Sequence, residues 1–246
     1  MKIITSLPLC IMLWASFLHP GISETYINRT RLIFTSHSLD ESFTLINEGM
    51  KPALMQFWID IDDAEKKPEH IQVPFIVLPP VSRLEPKSSL GIRVLYTGEN
   101  LSRQANAESL FWLNVLEIPP EMSKVEGSHT LQMAIRTRIK VFYRPPAIGK
   151  LTSSEAITRL YFSHAIENNK SLLRIENRSP LYITLTEVKY NDGRREDNLP
   201  DDGMIAPFSH INIPFAHFDK KENSAVRFRY IDDYGAVSKY HAASVK

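Results

Sequence analysis

Apolar and polar side chains alternate along residues 131–146, LQMAIRTRIKVFYRPP. Apolar residues take every second position except at Thr137, and the positions between them include Arg136, Arg138 and Lys140. A period of two is typical of a β-strand, and the double proline ends it because proline cannot donate to a strand ladder. The pattern predicts one strand of about 13 residues, well beyond the roughly five or six residues of an average strand.

Shorter strand-like segments fill the rest of the chain. Apolar, β-branched and aromatic runs such as ALMQFWIDI and SLFWLNVLEI alternate with turn-forming segments such as TGEN. Runs of the same kind, for example LYITLTEVKY and AVRFRYID, recur in the second half. Regularly spaced short strands with little helical pattern predict an all-β fold of two immunoglobulin-like β-sandwich domains. Between them, RPPAIGK combines stiff prolines with a glycine, as interdomain connectors do.

These patterns also predict the boundaries. We expect a signal peptide at 1–23, an N-terminal sandwich at 24–144, a linker at 145–150 and a C-terminal sandwich at 151–246. The first segment has a lysine at position 2, an apolar stretch, and small residues Gly21 and Ser23 before the expected cleavage site. Its apolar stretch is shorter than the ~20 residues of a membrane span, and Pro8 interrupts it, which disfavours an uncleaved anchor.

Removal of this segment would change the charge balance and the cysteine content. Lys2 is its only charged residue, so 29 basic residues minus one leaves 28, equal to the 28 acidic residues. A neutral total argues against a general attraction to nucleic acid or to a membrane surface. The single cysteine, Cys10, lies in the same segment, and the exported chain would therefore contain neither a disulfide nor a thiol nucleophile.

Sequence motifs of catalysis and cofactor binding are absent. The chain contains no GxSxG, HExxH, CxxC, P-loop or dinucleotide-binding pattern. His210 and His217 could approach each other across a loop, but scattered histidines are more often surface residues than metal ligands. The acidic runs DIDD at 60–63 and PDD at 200–202 are predicted to be solvated turns. We predict no catalytic residue, metal or cofactor, and an enzyme is the weakest hypothesis.

The long strand allows two interpretations. An ordinary core strand would turn its apolar side inward and its cations to solvent. However, the break at Thr137 separates Leu131, Met133 and Ile135 from the apolar positions that follow. A strand that is longer than its neighbours leaves backbone groups free to pair with another chain. Such an edge can bind an extended partner by β-augmentation, with backbone hydrogen bonds for affinity and alternate side chains for pockets.

Several segments resemble one family, the PapD-like periplasmic chaperones that assemble bacterial pili through the chaperone–usher pathway. The resemblance covers nearly the whole chain beyond residue 23. It rests on five blocks in the family's order: NRTRLIF (28–34), PPVSRLEP (79–86), AESLFWLNVLEIPP (107–120), IRTRIKVFYRP (135–145) and YIDDYG (230–235). Ala107 departs from the family's pattern, which usually has a charged or amide residue there, but Glu108 is present.

The resemblance implies two immunoglobulin-like domains in a boomerang arrangement and a protein that is not an enzyme. Members of the family hold pilus (fimbrial) subunits, which lack the last strand of their own sandwich and expose an apolar groove. The chaperone donates its G strand to that groove. Carried over to this chain, the donated side chains are Leu131, Met133 and Ile135.

The same resemblance assigns two further sets of residues. Arg31 and Lys140 match two basic residues that grip the subunit's C-terminal carboxylate in the cleft between the domains. Arg136 and Arg138 have no such match, and we predict that they are solvated or rim cations. The second set matches a charge cluster between the domains that fixes the angle between them. Its members in this chain are Glu108, Arg144 and Asp233.

The implied function is that of a periplasmic chaperone that binds, folds and caps subunits and delivers them to an outer-membrane usher without nucleotide. The loop at 121–130 is short and lacks cysteine, which resembles the subgroup with a short F–G loop. A second hypothesis is a secreted structural or adhesive sandwich protein that self-assembles through an edge strand. The direct run from Glu24 into a strand disfavours it, because a fibre subunit needs a free donor extension. The sequence leaves open which subunits are served and whether the free protein self-associates weakly.

Overall fold

The computed structural model describes residues 25–35, 37–61, 65–98, 106–121, 131–190, 193–214 and 225–246. These parts of the chain consist mainly of β-strands, which confirms the predicted all-β fold. Helical structure in them is limited to one α-helical turn, α1 (Ser153–Ala156), and three 3₁₀ turns, Pro68–His70, Ile157–Arg159 and Pro200–Gly203. In the same residues no helix has the length and apolar character that a membrane span requires.

The first nine strands form a sandwich of two sheets. One sheet has the order β1 (Thr25–Ile27), β3 (Asp40–Asn47), β7 (Ser88–Tyr96), β5 (Phe75–Leu78). The other has the order β2 (Arg31–Thr35), β9 (Ile135–Arg144), β8 (Ser109–Ile118), β4 (Ala53–Asp60), β6 (Val81–Leu84). Alternate residues of these strands point inward and fill the space between the sheets, where Leu32, Ile92, Leu113 and Val141 are fully buried.

The remaining strands form a second sandwich with its own core. One sheet has the order β10 (Leu160–Glu167), β11 (Lys170–Asn177), β15 (His210–Pro214). The other has the order β13 (Arg195–Glu196), β12 (Ile183–Tyr190), β16 (Ala225–Tyr230), β17 (His241–Ser244), and β14 (Met204–Ile205) also pairs with β12. Leu173, Ile175 and Leu185 lie in a core that is separate from the first. Two separate cores confirm the predicted two-domain, all-β architecture.

The start of the first domain crosses from one sheet to the other. β1 pairs antiparallel with β3, whereas β2 pairs in parallel with β9 in the opposite sheet. Asn28 holds the crossing, because its backbone N–H donates to Thr44 O (3.1 Å) and its side-chain Oδ1 accepts from Thr44 N (2.8 Å). The position of the crossing determines how much of β9 is covered. Only residues that follow the crossing, those of β2, can pair with β9.

The long strand predicted from residue 131 is shorter than expected. The ladder of β9 with β8 begins at Ile135, which is opposite Glu117, and β8 itself ends at Ile118. Residues 131–134 are therefore outside any strand, because the neighbouring strand ends before it could pair with them. The prediction of about 13 strand residues was wrong at its beginning, and β9 contains 10.

Candidate functional site

Arg31 and Lys140 lie side by side in the first domain. They are partners in the parallel register of β2 and β9, and the residues that follow them, Leu32 and Val141, are fully buried in the core. Because side chains alternate along a strand, Arg31 and Lys140 both point to the outer face of the sheet. No ion pair joins either of them to a carboxylate within the described residues. The pair therefore forms a compact cationic site that can accept an anion.

Burial shapes the electrostatics of this pair. Burial lowers the pKa of Lys140, and the positive charge of Arg31 lowers it further, while Asp202 of the second domain opposes the shift. Burial also lowers the pKa of Arg31, against the fields of Asp233 and Glu108. Each cation is thus partly desolvated and close to another positive charge. The negative charge of a bound carboxylate would offset both effects, which favours anion binding at this position.

The edge of β9 on the side of β2 is only partly covered. β2 pairs with β9 from Lys140 to Arg144, whereas β8 pairs with it on the other side from Ile135 to Tyr143. Among the described residues, the stretch from Ile135 to Ile139 has no strand partner on the β2 side. The uncovered edge ends where the Arg31–Lys140 pair begins. A strand that paired there would lie in line with β2, with one end at the two cations.

Leu131, Met133 and Ile135 are exposed, with 81%, 67% and 59% of their surface accessible. They continue the odd-numbered positions of β9 that point into the core at Ile139 and Val141. Gln132 holds this segment near the end of β8, because its Nε2 donates to the carbonyl oxygens of Pro119 (2.9 Å) and Pro120 (3.3 Å). The apolar stripe of the core therefore extends beyond the sandwich as an exposed row.

Glu108, Arg144 and Asp233 form one hydrogen-bonded cluster between the domains. Arg144 Nε donates to Glu108 Oε1 (2.7 Å), and its Nη2 and Nη1 donate to Asp233 Oδ1 (2.6 Å) and Oδ2 (3.2 Å). Backbone N–H groups of Tyr182 and Ser153 donate to Glu108 (2.8 Å) and Asp233 (3.2 Å). One guanidinium of the first domain thus binds a carboxylate of each domain.

Burial acts to raise the pKa of both carboxylates, but the net shift differs between them. Burial raises the pKa of Glu108, although Arg144 opposes that shift. At Asp233 burial also acts to raise the pKa, but the hydrogen bonds and charge of Arg144 outweigh it and lower the pKa. Arg144 is therefore the cation on which both carboxylates depend, and its loss would leave Glu108 almost completely buried without a counter-charge.

The structure corrects the interpretation of Asp60, Arg136 and Arg138. Asp60 is 2% exposed, and it accepts hydrogen bonds from Arg138 Nη2 (2.5 Å) and Asn114 Nδ2 (2.7 Å). Arg136 Nε donates to Asn114 Oδ1 (2.8 Å), and its Nη2 is 3.5 Å from Asp60 Oδ2. The prediction of a solvated acidic turn at Asp60 was wrong. Arg136 and Arg138 are not freely solvated, because they bind Asp60 and Asn114 and their side chains are only 29% and 25% exposed. The other two acids of that run, Asp62 and Asp63, lie outside the described residues.

Two tryptophans complete this network on the outer face. The guanidinium carbon of Arg136 is 5.0 Å from the centroid of a Trp58 ring, and that of Arg138 is 4.8 Å from a Trp112 ring. Lys140 Nζ is 5.9 Å from the same Trp112 ring. Because the sheet places strands β4, β8 and β9 next to each other, residues distant in sequence form one row of cations and aromatic rings. This row joins the buried Asp60 to the Arg31–Lys140 pair.

Replacement of Asp60 by asparagine should destabilise the first domain. The change keeps the shape of the side chain but leaves two half-buried arginines without their carboxylate, which should cost about 1–3 kcal/mol of unfolding free energy. Urea unfolding followed by tryptophan fluorescence measures this, because Trp58 and Trp112 are both in the network. Asp40→Asn, which breaks an exposed pair with Arg93, is the control. An equal effect of the two changes would contradict the role assigned to Asp60.

The histidines and the second acidic run form no metal site in the described residues. No group of three or more histidine, cysteine, aspartate or glutamate side chains is placed to hold a metal ion in the described part of the chain. Asp201 and Asp202 are exposed in a 3₁₀ turn. His217 lies outside the described residues. So do residues 122–130, on which the assignment to the subgroup with a short F–G loop depends, and that assignment stays a prediction.

Comparison with known proteins places the chain in a family. The family model described as pili and flagellar-assembly chaperone, PapD N-terminal domain, matches residues 24–149. The model described as pili assembly chaperone PapD, C-terminal domain, matches residues 155–242. The chaperone protein FimB/FhaD of Bordetella pertussis is 35% identical over 234 residues, which cover 93% of this chain and 91% of the relative.

A second relative and a solved structure agree with this result. The probable fimbrial chaperone YadV of Escherichia coli strain K12 is 36% identical over 232 residues, which cover 93% of both chains. The crystal structure of the CupB2 chaperone of Pseudomonas aeruginosa superposes with a TM-score of 0.71 at 31% identity and covers 90% of this chain and 100% of that one. The chain therefore belongs to the PapD-like family of pilus-assembly chaperones, and it is a chaperone, not an enzyme.

Proposed function

We propose that this chaperone binds pilus subunits in the periplasm by lending them the start of β9, and that Arg31 and Lys140 hold the subunit's C-terminal carboxylate. One observation carries the proposal: the uncovered edge of β9 ends at the pair of desolvated cations. A subunit strand in line with β2 would form backbone hydrogen bonds with Ile135–Ile139 and end at the two cations. The alternative of a self-assembling structural protein is not favoured, because the relatives are named chaperones.

The exposed row would supply most of the affinity. Burial of Leu131, Met133 and Ile135 in a subunit groove is worth about 1.5–3 kcal/mol for each side chain before ordering costs. The bound carboxylate adds charge-assisted hydrogen bonds of about 1.5–3 kcal/mol. Its more important effect is on register, because a strand shifted by one residue turns every side chain to the wrong face.

Export and delivery complete the proposal. Residues 1–23 are a signal peptide that is removed, residues 24–144 and 151–246 are the two domains, and 145–150 connect them. The family models match residues 24–149 and 155–242, which supports a first domain that begins at residue 24 and a second that begins after residue 150. The loaded chaperone passes its subunit to an outer-membrane usher, and no cofactor is required because subunits pair with each other more tightly than with the chaperone.

Arg31→Ala and Lys140→Ala should each give a folded protein that captures co-expressed subunits poorly. Loss of one charge-assisted hydrogen bond weakens binding by about 10- to 150-fold. Co-purification of an affinity-tagged chaperone with a pilus subunit from periplasmic extract measures the effect. Arg83→Ala removes an exposed cation on β6, at the opposite edge of the same sheet, and is the control. Normal capture by both anchor variants would remove the carboxylate-binding role.

A further inference from the structure

The turn after β16 touches the first domain at Thr30. Gly235 in this turn has φ +86°, and a Cβ added there would overlap Thr30 Oγ1 and lie 3.5 Å from Thr30 Cβ. The backbone of the second domain therefore meets a side chain of the first with no room for a methyl group. We call residues 232–236 the interdomain turn.

Hydrogen bonds make the interdomain turn a single rigid unit. One carboxylate oxygen of Asp232 accepts from the N–H groups of Tyr234 and Ala236, at 2.9 Å each. The backbone closes the turn as well, because Gly235 N donates to Asp232 O (3.1 Å) and Asp232 N donates to Ala236 O (2.9 Å). A displacement at Gly235 is therefore passed on to the other residues of the turn, including Asp233.

The interdomain turn contacts the first domain near both ends of the β2–β9 pair. Thr30, which Gly235 touches, is followed by Arg31, the first residue of β2. Asp233 binds Arg144, the last residue of β9, with two hydrogen bonds. Asp232 and Asp233 also act electrostatically on Arg31. The position of the turn and the position of the Arg31 guanidinium are therefore mechanically and electrostatically linked.

We propose that Gly235 is a positioning residue that lets the interdomain turn rest on Thr30 and thereby holds Arg31 where it binds the subunit carboxylate. This inference rests on the carboxylate-binding role of Arg31 proposed above. A side chain at position 235 would push the turn away from Thr30, lengthen the contact between Asp233 and Arg144, and release the start of β2. Carboxylate recognition should then weaken although Arg31 and Lys140 are unchanged.

The test compares two glycines that share a backbone conformation but differ in surroundings. Gly193 has φ +88°, and no atom of the described residues lies within 4 Å of an added Cβ, so Gly193→Ala reports the cost of the backbone conformation. The probe is an eight-residue peptide of alternating valine and serine, with a free or an amidated C-terminus, and calorimetry on the full chain gives both affinities. Gly235→Ala should lower the preference for the free carboxylate by at least about fivefold, whereas Gly193→Ala should leave it unchanged.

A second variant tests whether the contact with Thr30 is the cause. Thr30→Ala removes the atom that an alanine at 235 would overlap, so the double variant Thr30→Ala, Gly235→Ala should recover the carboxylate preference to within about twofold. Spin labels at the exposed positions 76 and 166 measure the distance between the domains in the same variants. We expect a shifted or broadened distance distribution for Gly235→Ala. Gly193→Ala and the double variant should keep the distance distribution of the original protein.

Results that contradict the role of Gly235 can be told apart from results that contradict the role of Arg31. An unchanged carboxylate preference in Gly235→Ala, or no recovery in the double variant, would overturn the positioning role of Gly235 and leave the carboxylate site intact. Equal affinity of the original protein for free and amidated peptides would contradict the carboxylate-binding role of Arg31 itself. A loss of equal size in Gly193→Ala would show that backbone strain, and not the contact with Thr30, is responsible, and would overturn the inference as well.

Discussion

A chaperone with Met133→Asp and Ile135→Asp should fold normally and fail to capture subunits. Both side chains are more than half exposed, so the change removes little from the chaperone's own core. In a complex each would lose about 1.5–3 kcal/mol of burial and would place a carboxylate in an apolar groove. Together these losses weaken binding by roughly a hundredfold or more. Co-purification with a subunit measures capture, and urea unfolding measures stability.

The control for this experiment is Ile166→Asp. Ile166 is 68% exposed on β10 of the second domain, far along the chain from the proposed donor segment. It should preserve both stability and capture. If the double variant unfolds while Ile166→Asp does not, Met133 and Ile135 belong to the chaperone's own core, and strand donation by this segment is wrong.

Arg144→Ala should produce the largest loss of stability among the variants considered. It removes the only cation that binds Glu108 and Asp233 within the described residues, and it leaves Glu108 buried without a counter-charge. Loss of one partner from a buried ion pair costs about 3–5 kcal/mol. Urea unfolding should shift accordingly. The transitions of the two domains should also separate, because the same guanidinium joins the domains.

Two spectroscopic probes can follow the domains separately. Beyond residue 23 the only tryptophans are Trp58 and Trp112, both in the first domain, so their fluorescence reports that domain alone. Far-ultraviolet circular dichroism reports both domains. Arg178→Ala, which breaks an exposed pair with Glu176, should leave both transitions unchanged. Coincident transitions in Arg144→Ala, with a midpoint equal to that of this control, would contradict the structural role of the cluster.

The alternation of apolar residues was sufficient to predict the β-architecture and the stripe that contains Leu131, Met133 and Ile135. It was insufficient for the length of β9, because that length depends on where the partner strand β8 ends. The register of β2 against β9, which places Arg31 opposite Lys140, joins residues more than 100 positions apart. No local period contains such information, and the expectation for this pair came from family resemblance.

Asp60 shows most clearly why a sequence pattern can mislead. It stands in the run DIDD, which has the composition of a solvated turn. In the structure it is the last residue of β4 and lies beneath Arg138 and beside Asn114, on strands far away in sequence. A polar residue within the apolar run SLFWLNVLEI, at Asn114, was the available signal that a buried polar partner existed.

Amide hydrogen exchange of the chaperone alone and in complex with a pilus subunit tests the central claim most directly. Strand donation adds backbone hydrogen bonds along the uncovered edge of β9 and the residues before it. Every second amide from Leu131 to Ile139 should therefore exchange much more slowly in the complex than in the free chaperone. The ladder between β9 and β8 should change little, because it exists in the free protein. Protection that appears elsewhere while residues 131–139 exchange at the same rate as in the free chaperone would contradict strand donation.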